Sequence, residues 1–87
     1  MPTLFIPSPI RDLTGGKASV VVAGSTVRET IQSLEAEHPG VKERLCDGEK
    51  IRPNISVMVD GQVSHLKMRE KLTRDSEVHF VIAISGG

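Results

Sequence analysis

Aromatic residues are scarce in this sequence, which contains no Trp and no Tyr. Its only two Phe residues are Phe5 and Phe80. Proteins that bind single-stranded nucleic acid stack the bases on aromatic side chains, so the chain lacks the means to build such a platform. An excess of one charge is also missing, because 11 Lys and Arg residues balance 11 Asp and Glu residues. Nucleic-acid-binding domains and polybasic membrane-surface proteins normally carry a basic excess. We therefore expect no nucleic-acid partner and no membrane partner.

Long apolar runs and cysteine pairs are absent as well. The longest apolar run, at 78–84, is interrupted by His79 and is far too short to span a bilayer. Residues 1–7 show neither a basic start nor a long apolar region, so we expect no secretory signal. Cys46 is the single cysteine and has no partner for an intramolecular disulfide, which suits a reducing compartment. We therefore predict a cytoplasmic protein.

The length of 87 residues allows one small domain. A chain of this size buries roughly 60% of the surface that its unfolded form exposes, which is enough for one core and not for two. No internal repeat, low-complexity segment or shift in composition marks a linker. We predict a single domain over residues 1–87, in which residues 85–87 form a flexible C-terminal tail.

One segment has the pattern of an amphipathic helix. Apolar residues recur at helical spacing at Val27, Ile31 and Leu34. Thr26 is followed three residues later by Glu29, which is the pattern of a capping box. Pro39 and Gly40 are typical of a helix end. The sequence therefore predicts a helix at about 26–38.

Runs rich in β-branched residues predict five strands. They lie at 3–6, 19–23, 54–59, 62–66 and 77–84. Asp60 and Gly61 form a strong signal for a two-residue hairpin between the third and fourth of these strands. The sequence pattern predicts a short helical turn at 41–46 and a loop at 47–50. It predicts an irregular segment at 68–75.

The predicted order is β-β-α-β-β-β, with one main helix. The helix has one apolar stripe, and a mixed sheet has one apolar face that must be covered. Both are buried when the helix packs across that face of the sheet. A first hairpin, a helical crossover and a last strand that returns beside the first strand satisfy the rules for short, right-handed connections. We predict an α+β fold with the β-grasp (ubiquitin-like) architecture.

Patterns for catalysis and metal binding are weak. Residues 14–19 have a hint of a phosphate-binding loop, but the first glycine and the final Ser or Thr of that motif are missing, so a loop before the second strand is favoured. The candidate metal ligands are spread over the chain without paired spacing. They are His38, Cys46, His65 and His79. We therefore expect no metal site.

The thiol and the paired carboxylates have structural interpretations. No feature near Cys46 predicts a lowered thiol pKa, so a partly buried structural role is favoured over a nucleophile or a persulfide carrier. Two carboxylate pairs, Glu35 with Glu37 and Glu43 with Asp47, are consistent with a solvated face, because acid–base pairs need a cleft that so small a chain hardly provides.

The sequence ends with Gly86 and Gly87, directly after a strong strand. Two terminal glycines are narrow and accept conformations barred to other residues, so they suit threading into a slot of another protein. The α-carboxylate is ionised at neutral pH and is a poor electrophile, so it needs activation, for example by ATP as an acyl-adenylate. A chain without an active site of its own can supply this reactive end while a partner supplies catalysis.

A β-grasp pattern of this length that ends in Gly-Gly resembles the ThiS/MoaD family of ubiquitin-like sulfur carrier proteins over essentially the whole chain. Several segments look most like the CysO-type branch, which donates sulfide for cysteine biosynthesis. They are 6–7, 13–16, 24–27, 34–40, 43–45 and 54–57. Relatives often have a proline just before the tail, where this chain has residues 82–84, and this difference bears on the angle of the tail and on the choice of acceptor.

The resemblance implies roles for the last two residues. Gly87 would be adenylated and then converted to a thiocarboxylate, and Gly86 would allow the tail to pass into the partner's channel. An E1-like activating enzyme of the MoeB/ThiF type would bind ATP and zinc, and this chain would bind no cofactor and no metal. The acceptor would be an enzyme such as cysteine synthase, and a metalloprotease that trims some relatives is a further implied partner. The chain would then be a carrier and not an enzyme.

Related proteins use an exposed apolar patch on the sheet beside the tail to meet partners. The candidates here are Phe80, Ile82 and Val59, each equally plausible as a core residue. Arg52 and Arg74 are candidates for contacts with acidic groups of a partner, although solvated charges are the favoured interpretation.

The sequence is also compatible with other functions. The resemblance also fits a molybdopterin synthase small subunit, a thiamin sulfur carrier or a ubiquitin-like modifier whose activated carboxylate joins a lysine. The last alternative is a plain interaction domain with an inert tail.

Overall fold

Seven short strands form two sheets in the computed structural model, which describes residues 1–83. The strands are β1 (Thr3–Phe5), β2 (Ser19–Val21), β3 (Cys46–Asp47), β4 (Lys50–Ile51), β5 (Ile55–Val59), β6 (Gln62–Val63) and β7 (Glu77–Ile82). Five of them make the main sheet in the order β2-β1-β7-β5-β6, and β3 pairs with β4 in a separate ribbon. The helices are α1 (Val27–Glu37) and α2 (Val41–Leu45), with 3₁₀ turns at Ser8–Thr14 and Lys67–Arg69.

The topology confirms the predicted β-grasp architecture. β1 forms an antiparallel hairpin with β2 and pairs in parallel with β7 on its other side. β7 in turn pairs antiparallel with β5. The parallel pair is possible because the long connection that includes α1 crosses over the sheet between the first hairpin and the last strand.

Helix α1 begins and ends close to the predicted residues. The hydroxyl of Thr26 accepts a hydrogen bond from the backbone N–H of Glu29 at 3.2 Å. The Glu29 carboxylate does not complete the predicted capping box on Thr26, because it accepts instead from the backbone N–H of Ser25 at 2.8 Å. His38 stands at the C-terminal end, and its backbone N–H donates to the oxygen of Leu34. Within residues 1–83, neither α1 nor any other helix is long and apolar enough to cross a membrane.

The core lies between α1 and one face of the sheet. The three apolar residues of the predicted stripe, Val27, Ile31 and Leu34, are fully buried. Leu4 of β1 and Val78 of β7 are fully buried on the opposing sheet face. Burial of each such side chain contributes about 1.5–3 kcal/mol to folding, so this helix–sheet interface is the main source of stability.

The predicted hairpin turn after β5 is present. Asp60 and Gly61 join β5 to β6, and both have positive φ angles, of 51° and 84°. Two successive positive φ values define the type I′ turn that matches the twist of the flanking strands. β6 is nevertheless shorter than predicted, because it ends at Val63.

Two short elements differ from the predictions. The segment predicted as a loop at 47–50 contains the turn of the β3–β4 ribbon, in which Cys46 pairs with Ile51. The connection between β1 and β2, for which no helical turn was predicted, contains the 3₁₀ turn Ser8–Thr14. Both elements are too short or too irregular to produce the hydrophobic periodicity on which the predictions rest.

Candidate functional site

The predicted site residues Gly86 and Gly87 lie outside the described residues, as does the predicted tail at 85–87. The structure does show where the chain leads to them. β7 is the central strand of the main sheet, and Ala83, which follows it, donates its backbone N–H to the oxygen of Asn54 at 2.7 Å. β7 therefore ends where β5 begins, and we call this edge the tail end of the sheet.

Two arginines lie at the tail end. Arg44 and Arg52 line a cavity whose apolar residues include Ile10, Ile55 and Ile82. The Arg52 guanidinium donates to the backbone oxygen of Glu43 from Nε at 3.1 Å and from Nη2 at 2.8 Å. These bonds fix its plane beside the last residues of β7.

Arg74, which the sequence suggested together with Arg52 for partner contacts, lies elsewhere. Arg74 precedes β7, which begins at Glu77, whereas the tail follows Ile82. A strand of six residues spans about 20 Å at about 3.3 Å per residue, so Arg74 lies at the opposite end of the sheet. Of the two arginines proposed for partner contacts, the fold brings Arg52 to the tail end and keeps Arg74 away from it.

The sheet face that α1 does not cover carries a row of apolar and aromatic side chains. The strand register aligns Phe5 with His79, His79 with Met58, and Met58 with Val63 across four strands. The rings of Phe5 and His79 are stacked, with centroids 4.1 Å apart and planes within 2°. Val81, two residues beyond His79, is 47% exposed. We call these five residues the outer patch.

The outer patch contains none of the three residues that the sequence left open between a surface patch and the core. Phe80 is 4% exposed and belongs to the core, and Val59 and Ile82 pack against that core from partly buried positions. All three point to the helix side, because side chains of a strand alternate between the two faces. The structure therefore places Phe80 in the core and Val59 and Ile82 against it.

Cys46 has the environment of a structural residue. Its thiol is free and buried, at the first position of β3. Burial raises the pKa of the Cys46 thiol, which keeps it protonated and weakly nucleophilic near neutral pH. The preference for a structural role over a nucleophile is confirmed in this respect.

The histidines do not converge. His79 lies in β7 and is partly covered by Phe5, whereas His65, in the segment predicted as a strand at 62–66, lies beyond β6 in an exposed loop. Within residues 1–83 no group of three or more His, Cys, Asp or Glu side chains is arranged to hold a metal ion.

Glu35 differs from the predicted solvated carboxylate. It accepts hydrogen bonds from the backbone N–H of Lys42 at 2.8 Å and of Gly40 at 3.0 Å, at the start of α2. These bonds lower the pKa of the Glu35 carboxyl, because they stabilise its charged form. Its neighbour Glu37 is exposed, as expected. Glu35 therefore joins α1 to the start of α2.

The candidate phosphate loop is a closed turn. The Thr14 side chain is fully buried, and its hydroxyl lies 3.0 Å from the backbone oxygen of Arg11 and 2.9 Å from that of Lys17. A hydroxyl directed at two carbonyl oxygens within its own turn does not face a phosphate. The favoured interpretation of residues 14–19 as a loop before β2 agrees with this geometry.

The comparison with protein families decides the family. The family model described as "ThiS family" matches residues 4–87, which is nearly the whole chain. The chain belongs to the ThiS family. Curated proteins similar to this ThiS-family chain include the sulfur carrier protein CysO of Mycobacterium tuberculosis and that of Mycobacterium bovis. Each is 44% identical over 45 residues, which cover 52% of this chain and 48% of the relative. The chain thus spans about half the length of the curated relatives it matches.

Several solved structures share the fold of this chain. The crystal structure of the Amycolatopsis orientalis BexX/CysO complex contains a chain that superposes with a TM-score of 0.93 at 31% identity, over 100% of both chains. Mycobacterium tuberculosis CysO superposes with a TM-score of 0.89 at 27% identity, over 97% of this chain and 100% of that one. Small archaeal modifier protein 1 of Haloferax volcanii, at 21% identity and a TM-score of 0.75, shares the fold over 99% of this chain and 98% of its own.

Proposed function

We propose that this ThiS-family chain is a sulfur carrier protein and not an enzyme. The observation that carries the proposal is the match of the family over residues 4–87, together with the likeness to CysO proteins in both sequence and structure. The position of β7 supports it, because this central strand ends at Ile82, only four residues before Gly86 in the sequence. The single thiol, Cys46, is buried and does not compete as the site of sulfur transfer.

The chemistry would take place on the carboxylate of Gly87. An oxygen of that carboxylate attacks the α-phosphate of ATP, pyrophosphate leaves, and an acyl-adenylate forms. A sulfide equivalent from a donor then attacks the carbonyl carbon, the bond to AMP breaks, and a thiocarboxylate remains. Gly86 has no Cβ, so the tail fits a narrow channel in the enzyme that performs these steps.

The partners of this proposal are an activating enzyme and an acceptor. An E1-like enzyme of the MoeB/ThiF type would supply the sites for ATP and zinc, so that the carrier itself needs no cofactor. The likeness to CysO favours delivery of the sulfur to a cysteine synthase in the cytoplasm. The outer patch and Arg52, which lie on the sheet and at its tail end, provide contacts through which either enzyme holds the carrier while the tail reaches its active site.

Intact mass spectrometry tests the proposal. The carrier is incubated with a MoeB/ThiF-type enzyme, ATP and a sulfide source, and its mass should rise by the difference between one sulfur atom and one oxygen atom. A variant lacking Gly86 and Gly87 should show no change. Recovery of only the unmodified carrier with an enzyme that thiocarboxylates another ThiS-family protein would contradict the proposal, and conjugates that survive boiling and reductant would identify a protein modifier instead.

A further inference from the structure

We propose that a basic cleft beside α1 binds an acidic segment of a partner protein that carries one bulky aliphatic side chain. Three cations and three apolar residues define this basic cleft. They are Lys50, Lys67 and Arg69 around Ile51, Leu66 and Met68. The residues come from the β3–β4 ribbon and from the loop that contains the 3₁₀ turn at 67–69, so the cleft is distinct from the outer patch and from the tail end of the sheet.

The charge of the basic cleft contrasts with that of the whole chain. The full sequence has no net charge, yet three exposed cations converge here. The carboxylate at the rim, Glu49, is engaged by Arg28 in the one ion pair found within residues 1–83. Glu49 therefore neutralises Arg28 and leaves the field of the three cations positive. Such a field favours and steers carboxylate-bearing partners.

The base of the basic cleft is apolar and is suited to contact with an apolar side chain. Ile51 and Met68 are 5% and 6% exposed, and they form a packed base next to Leu66, which is 50% exposed. A large apolar side chain held at the surface among cations resembles the anchor point of an interface, where an apolar residue is surrounded by a polar rim. A bulky aliphatic side chain between acidic residues matches both the base and the rim.

Hydrogen bonds hold the loop in place before any partner arrives. The Ser64 hydroxyl donates to the Glu70 carboxylate at 2.7 Å and accepts from the backbone N–H of Lys67 at 3.0 Å. Lys67 has a φ of 51°, a left-handed conformation that non-glycine residues seldom adopt and that neighbouring structure must hold. Since the loop is already ordered, binding requires little loss of conformational freedom there.

A peptide titration followed by NMR tests this inference without any sulfur chemistry, so its outcome is independent of the proposed function. The probe is an N-acetylated, C-amidated peptide with two Glu on each side of a central Leu, added to the ¹⁵N-labelled chain. We expect saturable shifts confined to amides of residues 49–51 and 64–70. Replacement of the peptide's Leu by Gly, or of its Glu by Gln, should weaken binding by about tenfold.

Charge reversal in the chain provides the matched test. The double variant Lys50→Glu/Arg69→Glu changes exposed side chains and should weaken peptide binding by about tenfold or more. The control Lys17→Glu/Arg74→Glu makes the same change in net charge outside the cleft and should bind like the parent. Equal binding by both variants, shifts centred on the outer patch, or tighter binding of inorganic pyrophosphate at the same amides would each overturn the proposal.

Discussion

At the scale of single residues, Gly24 shows how closely the chain after β2 approaches helix α1. Its φ of 149° is rarely adopted by residues with side chains. A Cβ built on Gly24 would lie 2.8 Å from the backbone nitrogen of Thr30, inside the first turns of α1. Backbone atoms of a helix have little freedom to move, so the glycine sets the distance between the first hairpin and the helix.

We expect Gly24→Ala to lower the free energy of unfolding by about 2–4 kcal/mol, because strain and overlap add at this position. Urea denaturation followed by circular dichroism measures the change. Gly48→Ala is the matched control, since Gly48 also has a positive φ, of 67°, but a Cβ added there would have no neighbouring atom within 4 Å. This control should cost about 1–2 kcal/mol. Equal losses in the two variants would contradict the close approach.

Glu35 makes a prediction about pH. Its pKa is lowered in the folded chain by the N–H groups of Lys42 and Gly40, so its charged form stabilises the fold. This stabilisation is present above the ordinary Glu pKa of about 4.3 and is lost as the pH falls through the lower folded pKa. Glu35→Gln should therefore be less stable than the parent near neutral pH, with a difference that shrinks in acid.

Urea unfolding of parent and Glu35→Gln from about pH 7 to about pH 3 checks this expectation. Glu37→Gln, on an exposed side chain of the same helix, is the matched control and should show a smaller difference at every pH. A gap between Glu35→Gln and the parent that stays constant down to the acid limit would contradict the role given to the Glu35 charge.

At the scale of elements, β7 explains why the sequence predicted the fold better than the candidate site. Apolar residues occur on both faces of β7, so alternation alone did not reveal which face α1 covers. The helix side carries Val78 and Phe80, while the outer side carries His79 and Val81. The register that aligns His79 with Phe5 and Met58 depends on strands distant in the sequence, and no local signal reports it.

Other elements also show that features set by neighbouring residues were predictable, whereas pairing between short strands was not. Helix α1 and the turn at Asp60 were predictable because caps, periodicity and turn residues act over a few neighbours. The ribbon of β3 and β4 has two residues in each strand, which is too short for a periodic pattern. Its pairing of Cys46 with Ile51 instead follows from burial of both against the core.

The outer patch leads to a prediction for partner binding. Val81→Asp should raise the KM of the activating enzyme for the carrier by about tenfold, with little change in kcat, because a desolvated charge in an apolar interface costs at least about 1.4 kcal/mol. Steady-state kinetics of adenylation measure both constants. Val21→Asp is the matched control, since Val21 is 56% exposed on the edge strand β2, in the row of Thr3 and Glu77 at the end of the sheet away from Val81. A larger KM effect of Val21→Asp would contradict docking through the outer patch.

At the scale of the whole molecule, the folding unit and the proposed reactive group occupy different parts of the chain. Within residues 1–83, the buried apolar residues extend from Leu4 in β1 to Phe80 in β7. The last strand hydrogen bond described beyond β7 joins Ala83 to Asn54. The core that the structure describes within residues 1–83 therefore lies upstream of Gly86 and Gly87, to which the proposed chemistry belongs. A carrier that visits two enzymes benefits from this separation, because each enzyme acts on the tail without opening the core.

Deletion of Gly86 and Gly87 should accordingly separate function from stability. We expect the free energy of unfolding to change by less than about 0.5 kcal/mol, since the two deleted glycines have no apolar side chain to bury. The same variant should accept no sulfur from the activating enzyme, because the shortened chain presents Ser85 at a site shaped for glycine. Urea denaturation and intact mass spectrometry on one preparation measure both effects. A large loss of stability would show that the last residues belong to the folded unit, and sulfur loading at the parent rate would place the reactive group elsewhere in the chain.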